Sequence, residues 1–238
     1  MNIDLSIHPR HNPDELGPTL RDQGRLQIPG FLTESCSEYL HQLLQENRVW
    51  HLSYNEGQEN YESEESEFNA LAPQQRQKFL NNIYTRARDN FQYFFKQYYI
   101  SQAIKLGENN GHPMHQIHDW VNSAAFLDFM RRLTGSPEIR ESDSYASLYG
   151  PGHFLTMHDD RHATHDRVAA WVISMTPEWN ENWGGYLAFY NDKGNVTEAF
   201  KPAFNTLNIF TVPQKHAVQL VAPFAGRPRT SYLGWLLR

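Results

Sequence analysis

Residues 149–160 read YGPGHFLTMHDD in one-letter code, and this stretch decides the fold. A Gly-Pro-Gly turn opens it, and the residues that follow have the pattern of a β-strand. If that strand is extended, His158 and Asp160 point to one face and Asp159 points to the other. An imidazole and a carboxylate on one face are two of the three ligands of a 2-His-1-carboxylate metal site, which suits non-haem Fe(II) oxygen chemistry.

The second imidazole has to come from a distant part of the chain. The best candidate is His216, which begins a predicted strand after Pro213. Alone, an H-x-D tripeptide is a weak signal, because it arises by chance in any chain rich in histidine. The metal site therefore depends on what the rest of the C-terminal half shows.

From Ser142 onward the sequence changes from a helical pattern to an alternating one. Turn residues separate most of the segments, as at Gly184-Gly185 and Asp192-Lys193-Gly194. Eight short strands with regular turns predict a jelly-roll or barrel, so the chain is mostly β with a helical wrap. The predicted strands are 143–149, 153–159, 167–175, 185–190, 195–201, 205–212, 215–221 and 229–236.

The N-terminal residues 1–141 are predicted to form helices that pack on one sheet of a single domain spanning 1–238, whose catalytic core is 142–238. Alternation of polar and apolar side chains predicts one short strand within this region, at residues 25–28. Dense aromatic residues predict packing of the longest helix against the barrel. The predicted helices are 16–23, a segment from Thr33 or Ser35 to about Asn47, 74–103 and 121–133.

Residues 51–70 contain six glutamates and few aliphatic side chains. Two interpretations remain open for this segment. It is either a solvated loop or a lid over an active site, since long loops often serve function. In the second case Tyr54 and Tyr61 would contact a substrate.

A rival metal site is formed by the histidines of residues 112–118. His115 and His118 lie three residues apart, which places them on one face of a helix. His112 precedes a proline and falls outside that helix. No acidic residue stands between the pair, as the H-E-x-x-H zinc motif would require. The alternative is a capped surface turn.

The composition narrows the functional class. With a net charge of −6, the chain lacks a general electrostatic footprint for nucleic acid. The single cysteine, Cys36, fits a reducing compartment. The N-terminus does not resemble a signal peptide, and no apolar run approaches the length of about 20 residues that spans a bilayer. These features predict a cytoplasmic protein without a nucleic-acid or membrane partner. They indicate no oligomeric state.

Several of these segments resemble the double-stranded β-helix of Fe(II)- and 2-oxoglutarate-dependent oxygenases, and the likeness is greatest to the prolyl-4-hydroxylase-like branch. The segments occur in the family's order and cover nearly all of 145–235. They are 149–160, Arg167, 174–179, 183–187, 204–210, 216–218 and 229–235.

The resemblance implies that His158, Asp160 and His216 hold Fe(II). It also implies that 2-oxoglutarate and O2 are the cosubstrates. The distal carboxylate of the cosubstrate requires a cation. Arg229 with Ser231 two residues later suits this task, because a guanidinium binds a carboxylate bidentately and a hydroxyl on the same face adds a hydrogen bond. Arg227 is the alternative, although Gly226 and Pro228 place it in a turn. The resemblance also places Tyr149 near the cosubstrate, where a buried core tyrosine is the competing interpretation.

Contacts with the substrate are predicted for Arg167, Trp171 and His162. The competing interpretation is structural pairing for Arg167 and a position in a solvated loop for His162. His165 also follows the motif in the same loop. Related enzymes that halogenate have a small residue in place of the carboxylate, so Asp160 favours oxygen insertion.

The sequence thus predicts a dioxygenase that hydroxylates an unactivated C–H of a prolyl residue, an amino acid or a similar small substrate, releasing succinate and CO2. The alternatives are a cupin-like or zinc-dependent barrel hydrolase and a non-catalytic peptide-binding barrel.

Overall fold

Seven α-helices and thirteen β-strands are present in residues 4–57, 59–162, 164 and 166–238, which the computed structural model describes. The helices are α1 (Pro13–Gln23), α2 (Glu34–Glu46), α3 (Glu65–Ala70), α4 (Pro73–Arg86), α5 (Ile100–Leu106), α6 (Met114–Val121) and α7 (Ala124–Thr134). The strands are β1 (Arg25–Pro29), β2 (His51–Glu56), β3 (Glu59–Glu64), β4 (Tyr93–Tyr98), β5 (Glu141–Ser142), β6 (Tyr145–Tyr149), β7 (Phe154–His158), β8 (Arg167–Ser174), β9 (Leu187–Tyr190), β10 (Val196–Phe200), β11 (Thr206–Thr211), β12 (His216–Val218) and β13 (Arg229–Leu237).

The strands form a nearly closed antiparallel barrel of the jelly-roll type. Its order is β1-β11-β8-β13-β6-β4-β7-β12-β9-β10, with β2 beside β4, β3 beside β2, and β5 beside β13. The predicted fold class is confirmed. Each of the eight strands predicted after Ser142 is present within a few residues of its predicted bounds. Alternation and turn residues are local signals, so they locate such strands well.

The long helix predicted over 74–103 is wrong. The helix α4 ends at Arg86, and residues 93–98 form the strand β4. This strand pairs with β2 along one edge and with β6 and then β7 along the other, so it connects β6 to β7 in the sheet. Aromatic residues favour strands, and a short apolar run has no periodicity that separates a strand from a helix.

Residues 51–70 are not a loop. They form the hairpin β2–β3, which extends the barrel sheet through β4, and the helix α3. Tyr54 and Tyr61 stack on each other with ring centroids 5.8 Å apart, and Tyr54 packs edge-on against Phe79 of α4. These two tyrosines therefore have partners within the protein. A lid movement of this segment stays a prediction.

The helices cover the outer face of the sheet, as predicted. Along β8 the side chains alternate: Trp171 and Ile173 pack among the helices, while Ala170 and Val172 line the barrel interior. The helix expected to continue through Val121 is divided in two. The helix α6 ends at Val121, and Ser123 caps α7 by accepting a hydrogen bond from the Phe126 amide. None of the helices in the described ranges combines the length and apolarity needed to cross a bilayer.

Trp171 lies at the centre of this packing. Its side chain is fully buried, stands edge-on to Phe126 and donates through Nε1 to Ser142 Oγ at 2.8 Å. The indole packs among the helices, and Trp171 is also one of the residues that line the barrel cavity, so its contact with a substrate stays a prediction. The sequence showed the strand but not which of its faces meets the helices.

We expect Trp171→Ala to lower the free energy of unfolding by about 3–5 kcal/mol, since it removes a large buried side chain and leaves a cavity. The measurement is urea unfolding at neutral pH. Trp183→Ala is the control, because Trp183 is only half-buried and a smaller loss is expected. Equal effects of the two substitutions would contradict the central position of Trp171.

Candidate active site

Pairing of β7 with β12 brings the predicted metal ligands together. His158 and His216 are opposite each other in the register, and their ring centroids are 4.1 Å apart. Asp160 lies between them, with Oδ1 at 3.3 Å from His158 Nε2 and Oδ2 at 3.4 Å from His216 Nε2. The three ligand atoms lie within 4.8 Å of one another. Two imidazoles and a carboxylate in this arrangement form one face of a metal site.

The backbone reaches this arrangement by a route that strand parity did not predict. His216 and Val218, two residues apart, oppose His158 and Leu155, which are three apart, so β7 contains a bulge. The strand ends at His158, and Asp160 has a φ of +62°. Aspartate tolerates this left-handed conformation better than most residues. Asp160 faces the two histidines, as predicted. It does so because of the bulge and the positive φ, and not because the segment is extended.

Both imidazoles are oriented by backbone carbonyls. His158 Nδ1 lies 3.0 Å from the Thr156 oxygen, and His216 Nδ1 lies 2.8 Å from the Gln214 oxygen. A carbonyl only accepts, so each Nδ1 carries the proton and donates. The Nε2 atoms are then left with free lone pairs directed at the centre of the triad. This is the tautomer that metal-binding histidines adopt.

The electrostatics of the triad favour a bound cation. Burial raises the pKa of the Asp160 carboxyl, but its close contacts with the His158 and His216 imidazoles outweigh that effect and lower the pKa to about 2. Burial, with the neighbouring His158, lowers the pKa of the His216 imidazole to about 4. At neutral pH Asp160 is ionised and His216 is neutral, which are the protonation states that bind a metal ion.

A second group of polar atoms lies deeper in the barrel. Arg229, only 4% exposed, is opposite Tyr149 in the register, and its Cζ atom lies 5.3 Å from the centroid of that ring. Ser231 is opposite Ser174 of β8. Arg229 Nε and Nη1 and the two serine Oγ atoms have no hydrogen-bond partner among the described residues. A buried guanidinium without an anion is unfavourable, so these donors indicate a site for a carboxylate.

One cavity of about 50 Å³ joins the triad to Arg229 of the second group. The triad residues and Arg229 line it together with Tyr149. The remaining wall is largely apolar and comes from several strands, namely Leu155, Ala170, Val172, Leu187, Phe210 and Val218. The residues therefore fit an iron ion at the triad and a dicarboxylate that reaches from there to Arg229.

Comparison with known proteins agrees with this site. Residues 144–237 match the model of the 2OG-Fe(II) oxygenase superfamily. These residues are a 2OG-Fe(II) oxygenase core. The cofactors of the enzyme are accordingly Fe(II), 2-oxoglutarate and O2. No curated protein matches the chain significantly.

Solved structures show the same fold over almost the whole length of the chain. A Pseudomonas putida prolyl-4-hydroxylase has a TM-score of 0.60 at 19% identity, covering 95% of this chain and 99% of that one. A Trichoplax adhaerens prolyl hydroxylase, solved with a peptide of hypoxia inducible factor, has 0.62 at 18%, covering 94% and 88%. The alpha ketoglutarate dependent epimerase SnoN has 0.55 at 12%, covering 94% and 81%.

Arg227 and Arg229, near the start of β13, have different surroundings. Arg227 is 38% exposed, and it donates to the Pro177 carbonyl at 3.2 Å and to Glu178 Oε2 at 3.0 Å. It therefore forms an ion pair at the surface. Arg229 is the guanidinium that faces the cavity, which agrees with its preference from the sequence.

Of the remaining substrate candidates, Arg167 contacts the metal-ligand region and His162 lies in the exposed loop after β7. Arg167 Nη1 donates to the Asp160 carbonyl at 3.1 Å. His162 Nδ1 accepts from the Thr164 amide at 3.2 Å, and its contact with a substrate stays a prediction. His165 lies outside the described residues.

The rival histidines of residues 112–118 do not gather around one point. His115 Nε2 lies 2.8 Å from Tyr98 Oη, and His118 Nδ1 lies 2.9 Å from Ser144 Oγ. Within the described ranges, His158, Asp160 and His216 form the one group with metal-site spacing. The histidines of α6 instead tie that helix to the strands.

Sequence reasoning missed Ser174 and Phe95. Ser174 joins the cavity group only because β8 pairs with β13. Phe95 of β4 stacks on Tyr149, with ring centroids 4.7 Å apart and planes at 9°. It was overlooked because β4 was assigned to a helix. The aromatic residues of Tyr93-Phe94-Phe95-Lys96-Gln97-Tyr98, which favour strands, were the available signal.

His153, the residue before β7, is buried, and the pH dependence of stability tests that burial. Burial lowers the pKa of this imidazole to about 4, although its contact with the Leu148 carbonyl acts in the opposite direction. Between pH 6.5 and pH 4 the unfolded chain takes up a proton here and the folded protein does not, so stability falls as the pH falls. The expected loss from His153 is on the order of 3 kcal/mol.

Urea unfolding of the wild type and of His153→Gln at pH 7 and at pH 4.5 measures this effect. The glutamine protein is expected to lose less stability between the two pH values. Equal losses in both proteins would show that His153 takes up no proton on unfolding.

Proposed function

We propose that His158, Asp160 and His216 hold Fe(II), and that the enzyme hydroxylates an unactivated C–H bond of a prolyl residue, an amino acid or a similar small substrate. The observation that carries the proposal is the pairing of the triad with unpartnered donors in one cavity. A zinc-dependent hydrolase needs the metal triad but does not need the unpartnered donors. A non-catalytic barrel needs neither.

Arg229 and Ser231 bind the distal carboxylate of 2-oxoglutarate in this proposal. The planar guanidinium donates to both carboxylate oxygens at once, and the hydroxyls of Ser231 and Ser174 add donors from neighbouring strands. Phe95 holds the Tyr149 ring in place by stacking, so Tyr149 forms a fixed wall beside the guanidinium. The cosubstrate is thereby oriented before any substrate binds.

The triad would hold a metal ion from one side and would leave room for the cosubstrate and O2 to bind it. When bound, Fe(II) with 2-oxoglutarate supplies the activation of O2, and the coproducts are succinate and CO2. Asp160 fills the carboxylate position, which favours oxygen insertion over halogenation. The apolar cavity wall excludes water, and this keeps the site dry and shaped for the cofactor chemistry.

The structural neighbours share the fold of this chain, and they identify no substrate for it. Two of them are prolyl hydroxylases, and one was solved with a peptide. At these identities the likeness shows the fold alone. The substrate range of the proposal is therefore wider than prolyl peptides, and product mass is the appropriate measurement.

The test is succinate formation by the iron-loaded protein with a panel of free amino acids and prolyl peptides, followed by mass spectrometry of the products. We expect 2-oxoglutarate consumption coupled to a product heavier by one oxygen atom. Tight zinc binding with no effect of 2-oxoglutarate on the metal would favour the hydrolase instead. A product of unchanged mass would exclude hydroxylation.

A further inference from the structure

Arg167, at the start of β8, is packed between a metal ligand and an indole. Its Nη1 atom donates to the main-chain oxygen of Asp160 at 3.1 Å and lies 3.9 Å from Asp160 Oδ1. Its Cζ atom lies 3.7 Å from the ring centroid of Trp235, a cation–π contact. Only 13% of the side chain is exposed. The guanidinium thus has one defined position.

Asp160 needs support at this point of the chain. It follows the end of β7 and has a φ of +62°, a conformation that few residues other than glycine adopt. Residues in such conformations persist only where their surroundings hold them. The hydrogen bond from Arg167 is made to the carbonyl of the same residue, so it fixes the peptide that directs the carboxylate toward both histidines.

Trp235 gives Arg167 a fixed platform. The Trp235 amide donates to Asp143 Oδ1 at 2.6 Å, and Tyr99 Oη donates to Asp143 Oδ2 at 3.4 Å. Gly234 makes this approach possible, because a Cβ atom there would lie 2.0 Å from the Asp143 carbonyl oxygen. The main chain of β13 is therefore held against Asp143 immediately beside the indole.

We propose that Arg167 is a positioning residue that holds the backbone of Asp160 in its ligand conformation, with Trp235 as the surface on which it rests. The proposal depends on the metal site described above. It differs from a substrate-binding role, because it requires Arg167 before any substrate is present.

Charge and positioning predict opposite results for the removal of Arg167. The guanidinium is a cation close to the metal site, so its repulsion alone would weaken binding of a divalent ion. If repulsion is its main effect, Arg167→Met binds metal more tightly than the wild type. If Arg167 holds Asp160 in place, the same variant binds metal more weakly. The sign of the change therefore separates the two effects.

The experiment is a Co(II) titration of the full chain, followed by visible absorption, for the wild type, Arg167→Met, Arg167→Lys and Arg161→Met. Arg161 is the matched control: it is 73% exposed, pairs with Asp159 at 3.5 Å and loses the same charge in the same loop region. Thermal unfolding of each metal-free protein shows whether it is folded. The lysine variant keeps the charge and one donor, and it remains informative if the methionine variant does not fold.

We expect Arg167→Met to bind Co(II) about tenfold more weakly, the lower end of the range for loss of a group that orients a ligand. Arg161→Met should bind as the wild type does, or more tightly. Arg167→Lys should lie between wild type and Arg167→Met, with an altered Co(II) spectrum. Unchanged or tighter binding by Arg167→Met overturns the proposal, as does an Arg167→Lys protein with wild-type affinity and spectrum. A wild type that binds no Co(II) overturns the metal site itself and this inference with it.

Discussion

The Asp160→Ala protein is expected to bind Fe(II) at least about tenfold more weakly than the wild type and to consume no 2-oxoglutarate. Asp160 is the carboxylate between His158 Nε2 and His216 Nε2, and its low pKa keeps it ionised at neutral pH. Two imidazoles that remain without it hold a divalent ion weakly and leave it poorly oriented. Metal content after dialysis and succinate formation measure both effects.

Asp159→Ala is the control for this prediction. Asp159 accepts a hydrogen bond from the Arg161 amide at 3.2 Å and pairs with that side chain, so it takes part in the loop and not in the triad. It should keep iron and most activity, with a change in the free energy of unfolding of at most about 0.5 kcal/mol. An iron-free Asp159→Ala protein beside an active Asp160→Ala protein would refute the proposed triad.

The same assay applies to the two histidines. His158→Ala and His216→Ala should each lose turnover and bind iron at least about tenfold more weakly. Each variant leaves the Asp160 carboxylate in place with a single imidazole. Unchanged iron affinity in His216→Ala would remove His216 from the metal site.

Replacing Arg229 by alanine is expected to raise the concentration of 2-oxoglutarate needed for turnover while iron stays bound. A desolvated charge pair of this kind is worth about 2–5 kcal/mol, which corresponds to at least about a thirtyfold loss of apparent affinity. The guanidinium is buried and two of its nitrogens have no partner among the described residues, so a carboxylate there has no competing ligand. Succinate formation against 2-oxoglutarate concentration measures the effect.

Arg227→Ala is the matched control, since it removes the same side chain two residues earlier. Arg227 pairs with Glu178 at the surface, and exposed pairs of this kind contribute at most about 1 kcal/mol. Its requirement for 2-oxoglutarate should stay close to that of the wild type. A large effect of Arg227→Ala with none from Arg229→Ala would reverse the assignment of the two residues.

Most of the barrel was predictable from the sequence. The strands β6 to β13 follow from side-chain alternation and from Gly, Pro and Asp turns, which are properties of neighbouring residues. The prediction failed at β4, where an aromatic run in residues 91–99 suits a helix and a strand equally. What decides between them is the pairing of β4 with β6 and β7, and these partners lie far along the chain.

The sequence by itself determined the chemical identity of the candidate ligands and their order along the chain: His158, Asp160 and His216, then Arg229 and Ser231. Tertiary structure alone decided that Ser174 lies opposite Ser231, that a bulge and a positive φ aim Asp160 at the histidines, and that Arg167 holds its carbonyl. The physical reason is distance along the chain. Residue type and the periodicity of apolar side chains are properties of short segments. Strand register and side-chain contacts arise only when strands separated by tens of residues pair and pack.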